Sequence, residues 1–163
     1  MARPYGVLGK TLGHSYTPVI YHELAGLDYV RFEREEEDVE AFIRGDEWEG
    51  VNVTIPYKKL VATMMDELTP VARRLGNVNT VTRDAMGRLI GDNTDYYGFK
   101  VLVESLGLDL AGKRALVFGG HGGAGLTSMV VLEDLGMQPV AVCRSLDDGS
   151  ASGAAAHAPE CDL

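Results

Sequence analysis

The sequence is short of cysteine, of long apolar runs and of positive charge, and each shortage excludes a class of protein. Its two cysteines, Cys143 and Cys161, cannot build a framework of several disulfides, and no Cys/His spacing resembles a zinc site. No stretch approaches the roughly 18 apolar residues of a membrane span, and the N-terminus carries no apolar run of signal-peptide length. We therefore expect a soluble, cytoplasmic protein with no metal site and no membrane partner.

Positive charge is outweighed by negative charge. Lys and Arg total 15 against 24 Asp and Glu, which gives a formal net charge of -9. Proteins that bind nucleic acid need basic surface to neutralise phosphates, and no Lys/Arg run supplies it locally. Nucleic acid is therefore not an expected partner.

The rest of the composition is typical of a globular protein. Hydrophobic residues make up 45% and charged residues 24% of the 163 residues. This length holds one ordinary domain, or one domain and a piece of a second.

Strand-like and helix-like segments alternate from the N-terminus. Alternation and apolar runs predict strands, and helical periodicity predicts helices, in the order strand 4–9, helix 18–27, strand 29–35, helix 38–45, strand 50–56 and helix 57–68. This βαβαβα pattern indicates an α/β fold with a mostly parallel sheet and crossover helices.

The pattern changes after residue 70. A helix over 70–76 is followed by two strand-like runs, 78–84 and 87–92, whose separation by Ala85 and Met86 predicts a hairpin added to the edge of the sheet. A longer helix over 96–108 then leads into turn-prone sequence between Gly107 and Gly112. We therefore predict a first domain over 1–108 and a second over 109–163.

The second domain begins with strand 113–120, a glycine loop opening into a helix that ends near residue 136, and strand 139–144. This order is the first βαβ unit of a Rossmann-like dinucleotide-binding domain. A complete domain of that kind has about six strands. We therefore expect the second domain to be incomplete, with a tail after Ser145 that shows no convincing periodicity.

The glycine loop carries the spacing of a dinucleotide site. Gly120, Gly122 and Gly125 fit the G-x-G-x-x-G pattern, in which glycines let the backbone approach a pyrophosphate at a helix N-terminus. Arg144 and Ser145 end the second strand and suit the 2′-phosphate of NADP. The alternatives are a surface arginine paired with a nearby aspartate, or an aspartate that binds the ribose of NAD.

Four polar clusters lie at the ends of predicted strands or in the loops after them. They cover residues 14–17, 52–58, 77–80 and 92–95. Since open α/β sheets bind ligands at the carboxyl ends of their strands, convergence of the clusters would form a pocket for a small polyhydroxylated ligand. Each cluster also has a purely structural interpretation as helix caps, turn residues or, for Lys58, a solvated side chain.

Five ordered segments resemble the motifs of the shikimate dehydrogenase family. They are GKTLGHSYTP, VNVTIPYKK, GNVNT, GDNTDYYGF and GGHGGAG, and the resemblance covers residues 3 to about 145. It implies NADP-dependent, reversible reduction of 3-dehydroshikimate to shikimate in chorismate and aromatic amino-acid biosynthesis, with NAD as the alternative cofactor and a homodimer as one expected assembly.

The resemblance also implies residue roles. Lys58 and Asp95 match the catalytic pair, which acts on the hydroxyl that becomes a ketone. The substrate-binding positions are Ser15, Thr17, Asn52, Thr54, Lys58, Asn79 and Asp95. The cofactor-binding positions are Gly120, His121, Gly122, Gly123, Ala124, Arg144 and Ser145.

The chain departs from the family in ways that keep other functions open. Thr17 stands where serine is more usual and resembles quinate-using relatives, while Asn77 and His121 stand where alanine is usual. The two alternative functions are a quinate/shikimate dehydrogenase that uses NAD and a truncated, non-catalytic module that binds shikimate. Because the nucleotide domain is predicted to be incomplete, we expect little or no dehydrogenase activity from these 163 residues; measurable NADP-dependent shikimate oxidation would refute this.

Overall fold

The computed structural model describes residues 3–120 and 122–142. The chain divides into two compact units, Met1–Thr94 and Asp95–Leu163. The predicted boundary between residues 108 and 109 follows the long helix, whereas the compact units divide at the start of that helix. The reason is packing, since Phe99 and Val103 of the helix contact the apolar cluster that contains Ala115 and Val117.

The first unit is a six-stranded sheet with helices between its strands. Its strands are β1 (Tyr5–Gly9), β2 (Tyr29–Glu33), β3 (Gly50–Val53), β4 (Glu67–Leu68), β5 (Thr80–Arg83) and β6 (Leu89–Asp92). Its helices are α1 (Thr17–Ala25), α2 (Glu36–Arg44), α3 (Lys58–Ala62) and α4 (Pro70–Leu75). The strand order is β2-β1-β3-β5-β6-β4.

The sheet is mostly parallel, which confirms the predicted fold class. Strand β1 pairs in parallel with β2 and β3, and β4 pairs in parallel with β6. Only β5 runs the other way, antiparallel to both β3 and β6.

Two predictions for this sheet are wrong. The helix predicted over 57–68 ends at Ala62, and the hairpin β5–β6 lies inside the sheet because β4 pairs on its outer side. Strand β4 has two residues, so its sequence is too short to show the alternation that would have predicted a strand. Asp66, the residue before β4, joins this segment to β6. Its N–H donates to Leu89 O at 3.0 Å and its Oδ2 accepts from Leu89 N at 2.7 Å.

The two faces of the sheet differ in how they are covered. One face carries Leu8, Phe32 and Val53, which are level in the register and pack into the main core with residues of α2 and α3. The opposite face carries Val7 and Tyr29, and α1 covers this part with Tyr21, whose ring stacks on Tyr29 at 4.3 Å. Alternating side chains on the strands therefore serve two cores.

The second unit contains α5 (Thr94–Glu104, apart from its first residue), β7 (Arg114–Phe118), α6 (Gly123–Asp134) and β8 (Gln138–Val142). Strands β7 and β8 pair in parallel over five residues, with α6 as the connection between them. This confirms the predicted strand, glycine loop, helix and strand of a Rossmann-like unit. Across the part of the chain that the structure describes, every helix is too short or too polar to cross a membrane.

Candidate functional site

Four segments of the first unit are joined by backbone hydrogen bonds at the edge of the sheet that is formed by the carboxyl ends of its parallel strands. Strands β1, β3 and β6 end at this edge and β5 begins there. Thr54 N donates to Leu8 O at 2.9 Å, Val53 N to Asn79 O at 2.8 Å and Asn79 N to Asp92 O at 3.0 Å. The segments that carry the predicted substrate residues are thus held side by side.

An open cleft of about 550 Å³ lies at this edge. Ser15, Thr17 and Thr54 line it together with Lys10 and His14. Ser15 Oγ donates to Thr17 Oγ1 at 3.1 Å, while the capping contact from Thr17 N to Ser15 Oγ is long, at 3.4 Å. Three of the predicted substrate hydroxyls therefore share one cleft.

Two charged side chains of β2 fasten the loop that carries Ser15. Arg31 Nη2 donates to Ser15 O at 2.7 Å, and Glu33 Oε1 accepts from Leu12 N at 2.6 Å. Arg31 and Glu33 are level with Val7 and Gly9 in the register, so they lie on the face of the sheet over which this loop passes. The sequence reasoning missed both residues, although their alternation with Phe32 was the available signal.

Lys10, one cation of the cleft, is paired with Glu35 at 2.8 Å. The hydrogen bond and charge of Glu35 raise the pKa of Lys10. The ammonium of Lys10 is therefore already neutralised in part by Glu35.

Lys58 is the first residue of α3. A turn leads into this helix, and in it Tyr57 N donates to Thr54 O at 2.9 Å. The turn contains the cis peptide between Ile55 and Pro56. Lys58 O accepts from Val78 N at 3.0 Å, which joins the start of α3 to the segment before Asn79. Tyr57 is buried, its hydroxyl donates to Arg34 O at 2.7 Å, and burial raises its pKa.

The carbonyl of the Asn79 side chain is held by its neighbours. Its Oδ1 accepts from Thr94 N at 2.8 Å, Thr94 Oγ1 at 3.1 Å and Thr80 Oγ1 at 3.0 Å. Asp95 follows Thr94 in the chain and begins the second compact unit. The pairing of Lys58 with Asp95 stays a prediction.

Asn52 has a dense set of partners inside the sheet. Its Oδ1 accepts from the Tyr29 hydroxyl, and its Nδ2 donates to Asn79 O and to Thr80 Oγ1, both at 3.1 Å. The side chain also lines a second groove, of about 310 Å³, rather than the first cleft. Its predicted contact with substrate stays a prediction.

Two further asparagines, Asn77 and Asn93, have no solvent exposure. Asn93 Nδ2 donates to Asn77 Oδ1 at 2.6 Å, and Asn77 Nδ2 donates to Leu75 O at 3.2 Å. They connect the loop before Asn79 to the loop before Thr94. The sequence analysis placed Asn77 and Asn93 in two of the four polar clusters, and noted Asn77 as a departure, but did not predict that they pair.

Two glycines of the loop in the second unit, Gly120 and Gly125, are required by close packing. A Cβ on Gly125 would lie 2.0 Å from Gly119 O, and one on Gly120 would lie 2.6 Å from the Cβ of Ala141. Gly122 is the N-cap of α6, and Gly123 and Ala124 form its first turn. A glycine-rich loop at a helix N-terminus fits a pyrophosphate. The predicted cofactor residues His121, Arg144 and Ser145 lie outside the described residues.

Together these features define an α/β protein. A domain with a polar cleft comes first in the chain, and the first βαβ unit of a dinucleotide-binding fold follows it. Residues 7–81 match the family model for the shikimate dehydrogenase substrate binding domain. This match confirms the predicted resemblance to the shikimate dehydrogenase family over residues 7–81.

Named relatives agree with this assignment. The NADP(+) shikimate dehydrogenase of Bacillus cereus strain B4264 is 38% identical over 157 residues, covering 91% of this chain and 56% of the relative. That of Geobacter metallireducens is 41% identical over 131 residues, covering 75% and 46%. The chain thus spans about half the length of these relatives.

Solved structures show the same fold. Shikimate dehydrogenase 1 from Peptoclostridium difficile has a TM-score of 0.78 at 32% identity, with 91% of this chain and 58% of that chain covered. The Thermus thermophilus enzyme in complex with NADP(H) and shikimate has a TM-score of 0.75 at 32% identity, covering 98% and 60%.

Proposed function

We propose that this chain carries the shikimate-binding part, and the start of the NADP-binding part, of a shikimate dehydrogenase. The observation that supports this most directly is the shared cleft of Ser15, Thr17 and Thr54, at the edge of the sheet where the Lys58 and Asn79 segments are hydrogen-bonded to each other. Relatives of this chain are named shikimate dehydrogenase (NADP(+)), and one solved relative holds NADP(H) and shikimate together.

The chemistry of the side chains suits the reaction. The hydroxyls of Ser15 and Thr17 donate to the substrate carboxylate, and Thr54 and Asn79 bind the ring hydroxyls. NADP(H), when bound at the glycine loop, supplies or removes the hydride. Lys58 gives a proton to the emerging alkoxide oxygen in one direction and accepts it in the other, and Asp95 orients the ammonium.

The cofactor, assembly and location follow as further parts of this proposal. NADP is favoured over NAD by the names of the relatives. A homodimer and a cytoplasmic location agree with the family assignment. Quinate is the second candidate substrate, because Thr17 places a methyl group in the cleft beside Ser15.

Shikimate binding measured by calorimetry tests the proposal on the chain as it exists. We expect the unmodified chain to bind shikimate and Lys58→Ala to bind at least about tenfold more weakly, since a hydrogen bond from a charged donor is lost. Lys59→Ala is the matched control, because Lys59 is the next residue of α3 and is exposed. No binding by the unmodified chain, or equal effects of the two substitutions, would contradict the proposal.

A further inference from the structure

We propose that Tyr29 is a positioning residue for the shikimate site and acts on Asn79 through Asn52 and Thr80. This inference rests on the proposed function and adds a residue that neither the sequence motifs nor the cleft includes. Tyr29 lies on β2, which β1 and β3 separate from β5, so its effect on β5 must pass through side chains that lie across the sheet.

The Tyr29 side chain is held in one place. It is 9% exposed, and its ring lies against that of Tyr21 at a centroid distance of 4.3 Å and an interplanar angle of 7°. Burial raises the pKa of the Tyr29 hydroxyl, so the hydroxyl stays protonated and acts as a donor at any physiological pH. Its hydrogen bond goes to Asn52 Oδ1.

That bond stabilises one orientation of the Asn52 amide. With the oxygen engaged by Tyr29, the nitrogen donates both of its hydrogens, to Asn79 O and to Thr80 Oγ1, each at 3.1 Å. An Asn52 amide turned by 180° would set its oxygen against the Asn79 carbonyl, where two acceptors repel. The Asn79 carbonyl therefore favours this orientation, and the Tyr29 hydroxyl stabilises it further by donating to the amide oxygen.

Thr80 connects the Asn52 amide to the side chain of Asn79 through hydrogen bonds. Thr80 Oγ1 accepts from Asn52 and is the donor to Asn79 Oδ1 at 3.0 Å; it also lies 3.2 Å from Thr94 Oγ1. Because the side-chain oxygen of Asn79 accepts hydrogen bonds from Thr80 and Thr94, these bonds determine the orientation of the whole side-chain amide. Asn79 is the proposed contact for a ring hydroxyl, so its orientation bears on affinity.

The network is not needed to pair the strands. Val53 N already donates to Asn79 O at 2.8 Å, and β3 and β5 pair through Val51 with Val81 and Asn52 with Thr80. The backbone of the sheet thus persists when the Tyr29 hydroxyl is removed. What the hydroxyl adds is the orientation of polar side chains, and this distinguishes a positioning role from a structural one.

Tyr29→Phe tests the inference because it removes the hydroxyl and keeps the stacked ring. We expect the dissociation constant for shikimate to rise about 3- to 10-fold, the effect of losing one hydrogen bond's contribution, and the melting temperature to fall by no more than that same lost hydrogen bond costs. Tyr21→Phe is the matched control, since Tyr21 is the other ring of the same stack. In an Asn79→Ala background, Tyr29→Phe should have no further effect on binding.

A measurement without ligand separates this inference from the proposed function. In Tyr29→Phe, and not in Tyr21→Phe, the NMR signals of the Asn79 side-chain amide should shift. If Lys58→Ala weakens shikimate binding while Tyr29→Phe changes neither affinity nor these signals, the proposed function stands and the inference is overturned. Equal losses of affinity in the unmodified and Asn79→Ala backgrounds would also overturn it. A chain that binds no shikimate would overturn both.

Discussion

Asn77 stands where the shikimate dehydrogenase family usually has alanine, and here it forms a buried pair with Asn93. Both side chains are fully buried, and the bond between them is 2.6 Å long. Asn93 Oδ1 is buried without a partner among the described residues. The stability of the pair therefore depends on Asn77, whose oxygen satisfies one end of the Asn93 amide.

Replacing Asn77 by alanine should destabilise the chain, although alanine is the more usual residue. The Asn93 amide would lose its acceptor while staying buried, which costs about 1–3 kcal/mol in the free energy of unfolding. Chemical denaturation of the unmodified chain and Asn77→Ala measures this, with the exposed Glu23→Ala as control at about 0.5 kcal/mol or less. A stability equal to that of the unmodified chain would show that Asn93 finds another acceptor or water.

The local sequence predicts polar site residues that follow a strand better than it predicts the residues whose hydrogen bonds hold those site residues in place. Ser15, Thr17 and Thr54 could be predicted because a polar residue after an apolar strand lies at the ligand-binding edge of an α/β sheet. Tyr29 and Arg31 could not, since their partners are 23 and 16 residues away and are set by strand register. A period of two indicates which face such residues occupy but not what they contact there.

At the scale of elements, the turn between β5 and β6 is organised by one carboxylate. Asp84 accepts from Met86 N and Arg88 N, both at 2.9 Å, and from Arg88 Nε at 2.8 Å. The N–H of Arg88, its side chain and the N–H of Met86 lower the pKa of Asp84 below its usual 3.8. Since the carboxylate is favoured by folding, this contribution to stability is present above the ordinary pKa and is lost as pH falls through the lowered one.

Asp84→Asn should therefore change how stability depends on pH. We expect the substitution to lower the melting temperature at pH 6–7 and the difference from the unmodified chain to shrink as pH falls below the usual value of 3.8. Thermal melts at several pH values measure this, and Met86→Ala is the control, because it changes a side chain that is 75% exposed in the same turn. A difference that stays constant down to the lowest pH would contradict the role given to the Asp84 charge.

The hairpin and the short strand β4 show where element prediction succeeds and fails. The hairpin was predicted from two strand-like runs separated by Ala85 and Met86, and its antiparallel pairing is confirmed. The helix over 57–68 was predicted too long because Leu60, Val61 and the residues after them fit a helical period as well as they fit a five-residue helix, a turn and β4. Pairing of Glu67 and Leu68 with β6, a contact distant in sequence, decides the outcome.

At the scale of the whole molecule, the two units have cores of different size. Among the described residues, the main buried cluster of the first unit has 15 members, whereas that of the second has six. Over residues 95–120 and 122–142, the second unit has a two-stranded sheet with one connecting helix. Small cores and two-stranded sheets are marginally stable, so the second unit should open more readily than the first.

Amide hydrogen exchange tests this difference, because it reports the opening of each unit separately. We expect amides of β1 and β3 to exchange more slowly than those of β7 and β8. Gly125→Ala should accelerate exchange in the second unit, since its Cβ would lie 2.0 Å from Gly119 O, and should leave β1 and β3 nearly unchanged. The control is Gly98→Ala in α5, where the added Cβ meets nothing within 4 Å.

The control should have the opposite sign to the test substitution. Alanine in a helix interior is favoured over glycine by about 1 kcal/mol, so Gly98→Ala should slow exchange in α5 or leave it unchanged. If Gly125→Ala instead accelerated exchange in β1 and β3 as much as in β7, the two units would unfold as one cooperative body. The difference in core size would then not determine the order in which the chain opens, because the smaller core would be supported by the larger one.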